Sequence, residues 1–185
     1  MTKIIGILDR LSEWFGRILS IAALAIMAIT VLVVILRYGF QTGHIDLGAA
    51  KISSIALQES VMYLHAMLFM LASAYTLKHN AHVRVDVFYR VFSPRQKALI
   101  DILGTLLLLF PTCGFIFYSS LDFVGFAWQM KERSGEAEGL AYVYVLKTLI
   151  PTMAVLLILQ GLAELLRNLQ TLRSNDPHPQ EIDPS

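Results

Sequence analysis

Four long apolar stretches alternate with short polar segments along the chain. The stretches free of Asp, Glu, Lys and Arg are Ile18–Leu36, Ser60–Leu77, Ile102–Leu121 and Thr148–Ala163. A helix of about 20 apolar residues crosses the ~30 Å hydrocarbon core of a bilayer at about 1.5 Å per residue. The first three stretches reach that length unaided, and Leu140–Leu146 lengthens the fourth through one charged residue, Lys147. The pattern predicts an all-α, integral-membrane four-helix bundle with spans near 18–36, 58–77, 99–121 and 143–166. It also predicts a single membrane domain over 1–173 and a disordered tail at 174–185, where Pro177, Pro179 and Pro184 interrupt a polar segment.

Composition agrees with the pattern. The 185 residues are 56% hydrophobic and 16% charged, with mean hydropathy +0.60, whereas a soluble domain is nearer ~25% charged. The net charge of +1 supplies no field that would draw nucleic acid, so no nucleic-acid partner is expected. The single cysteine, Cys113, lies inside the third stretch and reads as a small packing residue. Lys3, Arg10 and Arg17 before the first stretch imitate a signal peptide, but the stretch exceeds a ~7–15-residue signal core and ends at Arg37-Tyr38 rather than at small residues. It is read as a retained first span.

Lysine and arginine set the orientation. Ten fall in the N-terminal segment, the 78–101 connection and the tail, five of them (Lys78, Arg84, Arg90, Arg95, Lys97) in that connection. The other two connections hold five: Arg37, Lys51, Lys131, Arg133 and Lys147. Both termini and the 78–101 connection are therefore expected in the cytoplasm, and the 37–59 and 122–147 segments outside.

Local signals fill in the connections. In residues 1–17, Ile4, Ile5, Leu8, Leu11 and Phe15 stand against Lys3, Asp9, Arg10 and Glu13, the spacing of an amphipathic helix at the inner surface or leading into span one. Ile52, Ile55 and Ala56 repeat at helical spacing and allow span two to begin as early as Lys51. Turns are expected at Asn80, Ser93-Pro94 and the Gly135–Gly139 segment, and Pro111 and Pro151 are expected to kink spans three and four.

Chemistry-bearing residues are scarce. An ionisable group deep in a membrane calls first for a functional hypothesis, and His65 is the one such residue of note within the four stretches. It reads as a hydrogen-bonded interhelical histidine rather than a haem ligand, because a bis-histidine haem needs a second histidine at similar depth. His79, His82 and Asp86 have a spacing that could ligate metal, but Arg84 and Asp86 read better as a pair with each other or with loop backbone. No metal or cofactor is assigned. Arg37, Glu59, Asp122 and Lys147 fall near the outer ends of their spans, as interfacial anchors or as ion pairs that fix packing. No P-loop, nucleophile elbow, HExxH or pair of catalytic carboxylates is present, so no enzyme activity is expected.

The run His82-Val83-Arg84-Val85-Asp86-Val87-Phe88-Tyr89, followed by Ser93-Pro94-Arg95 and Asp101, resembles the small permease subunit of tripartite ATP-independent periplasmic (TRAP) transporters. So do Arg37-Tyr38, Gln58-Glu59, Tyr75-Thr76-Leu77-Lys78, Lys147-Thr148-Leu149-Ile150-Pro151 and Leu159-Gln160-Gly161; the resemblance covers about residues 10–170 and is nearest the mannitol/chloroaromatic branch. It implies a non-catalytic subunit in a bacterial inner membrane, within a sodium-driven importer of small organic acids. The partners implied are a large permease subunit that carries the substrate and sodium sites, a periplasmic binding protein and membrane lipid. Arg84 and Asp86, with His82 and Asp101 nearby, would fix the inner loop, and Arg37, Glu59 and Lys147 the outer face. The competing readings are a membrane anchor of a redox enzyme complex and a free-standing channel or scaffold.

Overall fold

The computed structural model describes residues 2–46, 51–79, 81 and 92–173. Helix α1, Thr2–Val34, closes with a π-helical turn at Ile35–Gly39. A two-stranded antiparallel ribbon follows, β1 His44–Asp46 and β2 Lys51–Ser53, pairing His44 with Ser53 and Asp46 with Lys51. Helix α2 is Ser54–Lys78. Helix α3, Pro94–Gly104, passes through a π-helical turn at Thr105–Leu109 into α4, Phe110–Met130. Helix α5 is Val143–Arg173. Among the described residues four helical segments are thus long and apolar enough to cross a membrane, and the fold is an all-α four-helix membrane bundle with one small ribbon.

Local chemistry explains several boundaries. The helical spacing of Ile52, Ile55 and Ala56 does not carry α2 back to Lys51: residues 51–53 are extended, and the Ser53 hydroxyl caps the helix by accepting from the Ile55 N–H at 3.1 Å. Ser93 caps α3 in a full capping box with Gln96, and Pro94 occupies the first turn, where its missing N–H is no loss. Pro111 cannot donate to the preceding turn, and the Phe110 N–H bonds back five residues to Thr105, so the proline is accommodated by a π-turn. Lys131 ends α4 in the left-handed region at φ 50°, its N–H returning to Ala127 and Trp128.

Helix α5 is the hub. It packs against α1, α2, α3 and α4, and α1 lies along α2. In its most apolar window 28% of residues are buried, against 6% in α1 and in α2 and 11% across α3–α4. Small side chains at Ala154, Gly161 and Ala163 let the neighbours approach; a Cβ at Gly161 would lie 2.3 Å from a Leu109 methyl. The inner line of α1 is Ile5, Ser12, Leu19 and Ile26, spaced by seven. Leu19 meets Leu71, Ala74 and Leu156, with Phe15, Leu68, Ala72 and Leu149 packed around them. Outside this core, large apolar side chains such as Leu24, Met27 and Phe115 face outward. Water would penalise that surface, whereas a hydrocarbon surround does not.

Candidate functional site

Charged and polar side chains gather in two layers, one at each end of the bundle. At the end that carries the described termini, α1 turns its polar side inward. Asp9 accepts from Arg167 of α5 at 2.5 Å, and the same guanidinium donates to Glu164 at 2.5 Å. Gln160 lies one turn deeper and is 1% exposed. Its amide donates to Glu164 at 3.2 Å, and its oxygen accepts from Ser12 at 2.7 Å. Glu13 pairs with Lys78 of α2 at 2.7 Å and with His79 at 3.2 Å. The His79 ring lies 4.2 Å from that of Tyr75, which fills the space that a side chain at Gly16 would need. A cleft of about 990 Å3 opens beside this layer, lined by Lys78, Asp101, Thr105, Cys113, Glu164 and Arg167 among others.

The far layer is built around the loop between α4 and α5. Glu59, near the start of α2, accepts from the Leu140 N–H at 2.6 Å and from the Ser134 hydroxyl. Gly139 sits against this clamp, where a Cβ would come within 2.6 Å of the Glu59 carboxylate. Lys147 pairs with Glu132 at 2.5 Å and lies 4.0 Å above the Phe123 ring. Trp128 donates to Thr148 at 2.9 Å and packs edge-on against Tyr144, a pairing suited to a membrane interface. Glu59 and Lys78 are 19 residues apart on α2, so the layers stand about 28 Å apart, close to the hydrocarbon thickness.

The sequence-predicted residues separate into groups. Arg37, Glu59 and Lys147 all reach the far layer but do not pair with one another: Arg37 donates to Gln58 at 3.1 Å, Glu59 holds the loop and Lys147 holds Glu132. His65 is not interhelical within this chain. Its Nδ1 bonds the Val61 carbonyl of its own helix at 3.0 Å, its ring stacks on Phe69, and it faces outward. Asp101 lines the cleft, and its carbonyl accepts from Thr105 at 2.7 Å. His82, Arg84 and Asp86 lie outside the described residues, as do Asn80 and the tail 174–185. His79, the described member of the candidate metal trio, pairs with Glu13.

Sequence reasoning missed the terminal layer. Gln160, Glu164 and Arg167 follow one another at four and three residues, the spacing of one helix face. Asp9, Ser12 and Glu13 carry the same signal on α1. The pattern marked the polar sides but not that they turn toward each other.

The arrangement is that of joints. Asp9, Glu13, Glu59, Glu132 and Glu164 are each held by a cation, an amide or a hydroxyl, which suits them to fixing helices in place. A bundle of four such helices with paired charges in two layers a bilayer apart is that of a multi-pass membrane protein. The chain belongs to the family of the DctQ component of tripartite ATP-independent periplasmic transporters, whose family model matches residues 26–171. It is therefore a TRAP small permease component, part of a transporter rather than an enzyme. No curated protein and no solved structure matches the chain.

Proposed function

We propose that this chain is the static membrane subunit of a sodium-driven TRAP importer of small organic acids in a bacterial inner membrane. It packs on the large permease subunit, enlarges the part that stays fixed during transport, and takes part in docking the periplasmic binding protein at its far end. The termini face the cytoplasm in this reading, as the basic 78–101 connection requires. Substrate and sodium sites belong to the large subunit, and the chain itself carries no cofactor.

One observation carries the reading. Between the layers, the four apolar stretches hold a single residue among Asp, Glu, Lys, Arg and His, namely His65. Moving an ion or an organic anion across a membrane needs polar groups at that depth, and these helices supply packing surface instead. The test is co-expression with the large permease of the same transporter, followed by reconstitution with the binding protein. The expected result is that the two membrane subunits co-purify, and that uptake of 2-oxo or related organic acids needs both subunits and an inward sodium gradient. Full uptake by the large subunit alone would sink the scaffold role.

A further inference from the structure

We propose that the far half of α2, along Gln58, Met62, His65 and Phe69, is the face on which a membrane helix of the large permease subunit packs. That helix donates a hydrogen bond to Nε2 of His65 from a hydroxyl or amide side chain. The inference rests on the subunit reading above and adds to it which surface is used and what chemistry the partner must bring.

The four residues follow at spacings of four, three and four, so they lie on one side of the helix. That side is exposed, with Met62 at 56% and Phe69 at 72%. His65 is held on it by a bond within its own helix. A carbonyl only accepts, so in the neutral ring the 3.0 Å contact with Val61 places the proton on Nδ1 and leaves Nε2 as an acceptor. Stacking on Phe69, with ring centroids 6.2 Å apart and planes at 17°, keeps the ring on this outer side.

Depth makes the acceptor informative. His65 lies six residues inside Glu59, about 9 Å toward the bundle centre. A lysine or arginine snorkels over such a distance, but an imidazole is too short. Lipid tails offer no donor, and a polar side chain at this depth is almost always turned toward protein. At comparable depth on α1 the outward Val31 offers only apolar atoms, which hydrocarbon satisfies. The α2 face thus differs from that of α1 by an acceptor that lipid leaves unpaired. Arg37 marks its rim, bonded to Gln58.

The experiment co-expresses the full chain with its large permease and places a benzophenone amino acid at Met62 or Phe69, with Phe115 as the control position. Irradiation is expected to yield an adduct with the permease from positions 62 and 69 and not from 115. His65→Leu is expected to lower the permease retained after detergent washing about tenfold, while His65→Gln, whose amide oxygen keeps an acceptor, stays within about twofold. Adducts from 62 and 69 confined to lipid or to a second copy of this chain, with the wild-type complex intact, would overturn the proposal. So would a His65→Leu chain that holds the permease as well as wild type, the result for a lipid-facing position. If His65→Leu does not reach the membrane, the adducts in the His65 background decide. A wild-type chain that never brings down the permease would overturn the subunit reading itself, and this face with it.

Discussion

Gln160 shows how one polar side chain ties distant parts of the bundle. Its amide is almost fully enclosed between Ser12 of α1 and Glu164 of its own helix. Leucine has a similar volume but offers Ser12 no acceptor, and a buried hydrogen-bonding group left unmatched costs about 1–3 kcal/mol. Gln160→Leu is expected to destabilise the detergent-solubilised chain by that amount in thermal or denaturant unfolding. An unchanged midpoint would show that the Ser12 hydroxyl finds another acceptor at no cost.

At the scale of elements, Glu59 acts on a loop about eighty residues away. Its carboxylate takes the Leu140 N–H and the Ser134 hydroxyl, so the α4–α5 loop is pinned to the start of α2. Glu59→Ala removes both acceptors, a loss of about 2 kcal/mol for bonds to a charged group, and is expected to speed tryptic cleavage after the exposed Arg133 roughly thirtyfold. Glu59→Gln keeps one acceptor and is expected to fall between. Equal cleavage rates for all three chains would show that the loop is held by other contacts. Helix α1 illustrates the other side of such design. Its spacing predicts an amphipathic helix, and the helix forms, but Asp9, Ser12 and Glu13 turn into the bundle while Trp14 stays outside.

For the whole molecule, two paired layers about 28 Å apart define how the bundle sits in a bilayer. In the proposed reading the lysine and arginine distribution puts the termini in the cytoplasm. A cysteine at Glu136 is expected to react with an impermeant maleimide added to spheroplasts, and one at Arg95 only after the membrane is opened. The native Cys113, 4% exposed, is expected to stay silent in both. The reverse pattern would invert the orientation and with it the proposed docking of the binding protein.

The apolar stretches alone determined that there are four spans, because a span is a local property: its length and its freedom from charge are read within about twenty consecutive residues. The signal at Ser93-Pro94, expected as a turn and found as a helix start capped by Ser93, and the turn around Gly135–Gly139 were legible for the same reason. Partners were not. Helical spacing drew α2 back to Lys51, yet pairing with His44–Asp46 makes that segment a strand. Arg37, Glu59 and Lys147 were rightly placed at one end of the bundle, but whether they pair with each other or with Gln58, Leu140 and Glu132 depends on side-chain contacts that a span's length does not encode. The same holds for His65. Its depth follows from its place in the sequence and its bond to Val61 from the turn of its own helix, whereas its outward direction appears only once α2 is packed against α1 and α5.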